Sequence, residues 1–199
     1  AHSDLPNIFR ALELGGTLPI ARIAEGTLSN CKQALDAGAG GIIAPMIMDA
    51  EQLEQIINWC CWPPKGIRGV GYSRANLYGK HFDTYRNEAQ APLIIAQIEH
   101  IKAVNNLESI LSVGGLDATI IGPYDLSASM GLTGDLEHPG VIKAGKKVIE
   151  ISNKIGIPSG LHVVAPDKEK LKIATDNGYS FIAYSLDAVF LTDKIDNPY

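Results

Sequence analysis

Six short apolar segments, each followed by a helical pattern at a repeat of roughly 25–30 residues, predict an α/β fold built on a parallel sheet. Two further observations choose between an open, doubly wound sheet and a closed (β/α)8 barrel. An open nucleotide-binding sheet calls for an early G-x-G-x-x-G turn leading from a strand into a helix, and none is present. The GIRGVG string at positions 66–71 follows a helix and a Pro-Pro pair, which is the wrong context for a dinucleotide site. Polar residues also stand at several strand ends, where barrels place their chemistry. The expected fold is therefore a (β/α)8 TIM barrel, read as one domain over 1–199. A barrel needs two more strands than are found, and the chain opens at Ala1-His2-Ser3-Asp4 without a preceding strand. The first strand–helix unit and the second strand are accordingly expected to be missing from this sequence.

In chain order, Leu5, Ile8, Phe9, Leu12 and Leu14 form a helical pattern stopped by Gly15-Gly16. Leu18–Ile23 is a strand interrupted by the charge of Arg22. Thr27 or Ser29 can cap a helix through Ala37, ended by Gly38. Gly40–Met46 is a second apolar strand, and Asp49 starts a helix through about Cys60. From Trp62 to about Ala89 neither period holds, so a long loop is expected, and such loops are usually functional or disordered. Leu93–Ile98 and Ala118–Ile121 are strands on either side of a helix over Ile101–Val113. A loop from Ser127 to Pro139 enters a long helix ending near Ile155. Strand Ile157–Val164, helix Asp167–Asn177, strand Phe181–Ser185 and a short helix Asp187–Ile195 complete the chain.

The composition excludes several classes. Hydrophobic residues at 46% and charged residues at 20% are ordinary for a soluble globular protein. No apolar run approaches the roughly 18 residues of a membrane span. A formal charge of −5, with no Lys/Arg cluster, argues against nucleic acid as partner. Three cysteines, two of them adjacent as Cys60-Cys61, offer neither a disulfide framework nor zinc spacing, and predict buried thiols in a reducing cytoplasm.

Chemistry concentrates between Pro92 and Leu132. The apolar runs Leu93–Ile98 and Ala118–Ile121 are followed by the carboxylates Glu99 and Asp125, acids with no packing reason to stand there. Two hard oxygen ligands on neighbouring strand ends, with a glycine turn beside the second, suggest a divalent-cation site with room for a small anion. Each acid alone is also explained by a helix N-terminus; the pair on consecutive strands is what favours the site. Arg22, Gln97 and His2 stand at comparable positions, as does His162, which alone reads as structural. Asp36 sits inside a helix. A 2-oxo acid chelated by such a cation would have its C3 protons acidified, Arg22 would add charge where the enolate oxygen develops, and a neutral histidine could shuttle protons. No lysine falls at a strand end, since Lys65 and Lys80 lie in loops, so an imine mechanism is disfavoured.

The strings LDAGAGGIIAP, GIRGVGYSRA, QIE and IGPYDLSASMG together resemble the HpcH/HpaI aldolase family, over nearly the whole chain from His2 to about Leu191. The resemblance implies a barrel of the phosphoenolpyruvate/pyruvate-binding type, a class II pyruvate aldolase activity and a divalent cofactor (Mg²⁺, Mn²⁺ or Co²⁺), without nucleotide cofactor. It makes Glu99 and Asp125 metal ligands, Gln97 a neighbour of the metal and its water, and Arg22 a contact to the pyruvate oxygen. His2 becomes the proton shuttle with Asp36 as its dyad partner. Gly122, Pro123, Tyr124 and Asp125 form the turn that receives the substrate carboxylate on backbone N–H groups. Ala1 departs from the glutamate usual before the histidine, and Tyr124 from the usual alanine. A homo-oligomer, trimer or hexamer, is implied as well. The expected function is reversible cleavage of a 4-hydroxy-2-oxo acid to pyruvate, or a close 2-oxo acid, and an aldehyde. The alternatives are an oxaloacetate decarboxylase or malyl- or citramalyl-CoA-type lyase on the same fold, and a non-catalytic binding protein.

Overall fold

In the computed structural model, which describes residues 4–193 and 195, six parallel strands hydrogen-bond in strict sequence order. They are β1 (Ile20–Arg22), β2 (Gly41–Ala44), β3 (Leu93–Ile98), β4 (Ala118–Ile121), β5 (Ser159–Val163) and β6 (Phe181–Tyr184). A doubly wound sheet reverses its strand order at a switch point; this one never does. Right-handed crossovers in a single direction put the helices that connect the strands on the same side and curl the sheet. The result is a six-stranded half-barrel, so the eight-stranded closure expected from sequence is only partly realised among the described residues.

The helices are α1 (Leu5–Leu14), α2 (Leu28–Asp36), α3 (Ala50–Cys60), α4 (Phe82–Glu88), α5 (Ile101–Asn105), α6 (Leu107–Leu111), α7 (Pro123–Ser129), α8 (Pro139–Ile155), α9 (Lys168–Asp176) and α10 (Asp187–Asp193). Their starts follow capping chemistry. The Thr27 side chain, not that of Ser29, accepts from the Asn30 N–H at 3.3 Å. Asp49 accepts from Gln52 N–H at 3.0 Å, and Asp167 from Glu169 N–H at 2.8 Å. At its far end α8 stops on Gly156, whose φ of 88° lies in the left-handed region open to glycine.

Two of the expected elements differ. The helix expected over Ile101–Val113 breaks at Asn106, whose backbone (φ −96°, ψ 11°) leaves the helical well while its side-chain amide donates to Met48 O at 2.9 Å. The region expected to lack periodic structure holds a 3₁₀ segment, Arg74–Gly79, and α4. α4 is too short to display a period; it forms because Phe82 and Tyr85 pack on Trp62, with ring centroids 5.4 Å apart in both pairs.

Strand partners face the same side and successive residues alternate, so register separates the two faces of the sheet. Ile42, Ala44, Ile94, Ala96, Ile98 and Ile121 pack against Leu35, Leu53, Ile56, Leu107, Ile110 and Val148 of the helices. Each fully buried Ile or Leu there contributes about 1.5–3 kcal/mol. The other face carries Arg22, Ile43 and Ile95, paired in a row, then Gln97 opposite Ile120. Because all six strands run the same way, Arg22, Gln97, Glu99 and Gly122 gather at one edge.

Candidate active site

β3 ends on Ile98, and the next residue, Glu99, is 1% exposed. Nearly complete burial of a carboxylate demands partners. Glu99 Oε1 accepts from the Met46 backbone N–H at 2.8 Å, and Oε2 accepts from Gln97 Nε2 at 2.6 Å. Gln97 in turn accepts from Arg22 Nε at 3.4 Å, a long contact that links β1 to β3. From the adjacent strand end, Asp125 on the first turn of α7 reaches Glu99 both by charge and at side-chain hydrogen-bonding range. Burial first, then the facing Asp125, pushes the Glu99 carboxyl above its ordinary value; the Met46 N–H and Arg22 oppose that shift.

Gly122 makes this packing possible. A Cβ there would lie 2.6 Å from Glu99 Oε2 and 2.9 Å from Gln97 Nε2. The turn that begins at Gly122 offers fewer donors than its four residues suggest. The Gly122 N–H is spent on Ile98 O at 3.3 Å, and Pro123 has none. Tyr124 and Asp125, in the first turn of α7, have no intrahelical acceptor, so theirs are the N–H groups left for an anion. Tyr124 itself is half-exposed. It lines, with Pro123 and His162, a groove of about 600 Å³ that runs between α8 and α9.

Two carboxylates in mutual contact, one of them buried, require either a shared proton or a cation. The donor set suits a hard divalent cation: carboxylate oxygens and an amide, with no thiolate. Among the described residues no group of three or more His, Cys, Asp and Glu could hold a metal, so Glu99 and Asp125 would leave most of such an ion's coordination to substrate and water.

Arg22, Gln97, Glu99, Gly122 and Asp125 thus come together as the sequence reading anticipates, whereas Asp36 does not. It closes α2, which runs back from the Arg22 end of the sheet toward the opposite edge, and Lys32 Nζ holds its carboxylate at 2.5 Å. Its expected partner, His2, lies outside the described residues. Sequence reading also missed Met46, Gln52 and Asn106. Met46 acts through its backbone N–H, which no side-chain pattern reveals. Gln52 does carry a signal, as the third helical residue after the Asp49 cap, the place of a capping-box glutamine.

A singly wound parallel array with polar side chains collected at one edge is the barrel-type enzyme architecture. Comparison with known proteins narrows that class. The model of the HpcH/HpaI aldolase/citrate lyase family matches residues 2–193, and the chain belongs to that family of carbon–carbon lyases. It is 36% identical over 184 residues to a hydroxypyruvate/pyruvate aldolase of Roseobacter denitrificans, covering 91% of this chain and 71% of the relative. It is 34% identical over 197 residues to a 2-keto-3-deoxy-L-rhamnonate aldolase of Salmonella gallinarum, covering 98% and 73%. The crystal structure of an HpcH/HpaI aldolase from Desulfitobacterium hafniense superimposes with a TM-score of 0.86 at 31% identity, covering 97% of this chain and 75% of that one.

Proposed function

We propose that this chain is a divalent-metal-dependent aldol lyase that cleaves a 4-hydroxy-2-oxo acid to pyruvate, or a close 2-oxo acid, and an aldehyde, and that its six-stranded array represents the family's (β/α)8 barrel. The observation that carries the reading is the buried Glu99 carboxylate facing Asp125. Glu99 and Asp125 would hold the cation, with Gln97 orienting Glu99 Oε2. A divalent cation bound there supplies Lewis-acid polarisation of the 2-oxo acid's carbonyl.

The remaining work falls to the chain's own groups. The N–H groups of Tyr124 and Asp125 bind the substrate carboxylate. Arg22 stabilises the negative charge that grows on the carbonyl oxygen as the C3–C4 bond breaks. Cleavage needs the 4-hydroxyl proton removed as the aldehyde leaves, and a proton returned to C3 of the pyruvate enolate. His2 is the residue we assign to that transfer; Asp36 has no part in the site of its own chain. Tyr124, beside the substrate anchor, narrows the approach of the aldehyde portion.

A coupled pyruvate-release assay on 4-hydroxy-2-oxo acids tests the reading. Activity is expected to vanish with EDTA, return with Mg²⁺, Mn²⁺ or Co²⁺, and fall by at least about a hundredfold in Glu99→Ala, the scale expected for losing a cation that stabilises developing charge. Undiminished turnover in EDTA would rule the mechanism out.

A further inference from the structure

The backbone donor to Glu99 is itself held in place. Met46, just beyond β2, has φ 52°, in the left-handed region that a residue with a side chain occupies at a cost. Its N–H reaches Glu99 Oε1 at 2.8 Å. Its carbonyl accepts from Gln52 Nε2 at 3.1 Å, and the Met48 N–H donates to Gln52 Oε1 at 2.9 Å. One carboxamide therefore uses both its ends on the three-residue segment 46–48. Gln52 is anchored by the Asp49 cap on its own N–H, at 3.0 Å. From the other side, Asn106 Nδ2 donates to Met48 O at 2.9 Å.

We infer that Gln52 is a positioning residue for the Glu99–Asp125 site: by bracketing Met46 and Met48 it fixes the left-handed Met46 whose N–H pins Glu99 Oε1. The inference rests on reading Glu99 as a cation ligand. With Oε1 pinned, the carboxylate presents Oε2 to Gln97, beside Asp125 as its charged neighbour. Without the bracket Gln52 no longer opposes relaxation of Met46 to a negative φ, which turns its N–H away and leaves Glu99 Oε1 without its donor, so that Gln97 alone orients the carboxylate. Groups that orient metal ligands from behind typically account for about 10–100-fold in metal affinity.

The test is calorimetric titration of the protein with Mn²⁺ alone, beside melting temperatures. Gln52→Leu, which removes both hydrogen bonds at similar volume, is expected to weaken Mn²⁺ binding by about tenfold or more. Gln52→Glu keeps the acceptor for Met48 N–H but loses the donor to Met46 O, and should fall between Gln52→Leu and wild type. Leu53→Ala loosens α3 but removes none of the side-chain hydrogen bonds to segment 46–48, and is expected to stay within about twofold of wild-type affinity, because it leaves the orienting bonds intact. Wild-type affinity in Gln52→Leu, or an equal loss in Leu53→Ala, overturns the inference. If Gln52→Leu does not fold, Gln52→Glu decides, and unchanged affinity there overturns it too. Glu99→Ala separates the two levels: if it binds Mn²⁺ as wild type does, the metal reading itself fails, whereas its loss beside a normal Gln52→Leu sinks only the role of Gln52.

Discussion

Glu99 has almost no exposed surface, yet it keeps three neighbours that compete for its two oxygens: the Met46 N–H, the Gln97 amide and the Asp125 carboxylate. Two of these stabilise its charge and one opposes it, a balance that a cation between the acids would settle. The close packing leaves no room for a methyl group at Gly122, since a Cβ would meet Glu99 Oε2 at 2.6 Å. Gly122→Ala is therefore expected to push the carboxylate off Gln97, weakening Mn²⁺ binding at least about tenfold and destabilising the fold by about 1–3 kcal/mol, as overpacking does. Calorimetry and urea denaturation check both; full affinity in the variant would show that Glu99 Oε2 does not face the ion. Of these residues, Glu99, Gln97 and Asp125 are legible in the sequence because acids and amides at the ends of apolar runs have no packing role. Met46 and Gln52 are not, because a backbone N–H and the amide that braces it leave no mark in composition or period.

At the scale of elements, short helices explain most departures from expectation. α5 and α6 share one apolar period, interrupted at Asn106, whose side chain binds Met48 O. α4 owes its place to contact with Trp62, about twenty residues earlier in the chain. Tyr179, between α9 and β6, shows what element packing does to a titrating group. Its ring turns toward α8, where its hydroxyl is 3.3 Å from the position of an added Gly145 Cβ, and burial pushes its pKa up to about 12. An unfolded tyrosine ionises near 10. Between those values the unfolded chain loses the proton first, so the stabilisation is full below about pH 10 and fades as pH rises toward 12. Tyr179→Phe should thus flatten the alkaline decline in urea midpoint between about pH 10 and 12. A decline as steep as wild type's would assign it to other groups.

Over the whole molecule, sequential strand order sends each connection the same way round, so that one sheet face is covered by helices and the other carries Arg22 and Gln97 among isoleucines. No described helix is long and apolar enough to cross a membrane. The segment after α3 exposes Ile67, Val70, Tyr72, Leu77 and Tyr78, large apolar side chains on one stretch of backbone. That stretch is braced from within: Asn76 is buried, accepts from the Ser73 and Gly79 N–H groups at 3.0 Å each, and donates to Gly71 O at 2.7 Å. Rigid exposed apolar surface commonly marks contact with another protein, and we propose a second copy of this chain as the occupant, on the ground that the family resemblance implies a homo-oligomer. Light scattering is expected to give a multiple of the monomer mass, and the double substitution Tyr72→Asp, Tyr78→Asp to reduce it. A monomer in the wild type defeats the proposal.

Apolar runs separated by helical periods are enough to dictate parallel strands with helices between them, because burial on both faces of a strand has no other pattern. Position marks Glu99 and Asp125 as a pair, because two acids following consecutive apolar runs have no packing reason to stand there, although a helix N-terminus would explain either one alone. Which carboxylate is buried, which N–H groups of the 122–125 turn remain available, and how Gln52 reaches Glu99 through Met46 were decided only in three dimensions. Each depends on groups brought together from far apart in the chain: residue 46 on residue 99, residue 22 on residue 97, residue 106 on residue 48. Asp36 makes the same point in reverse. Its place in a recognisable string suggested a catalytic partner, and the direction of α2 carried it to the other edge of the sheet, where Lys32 holds it.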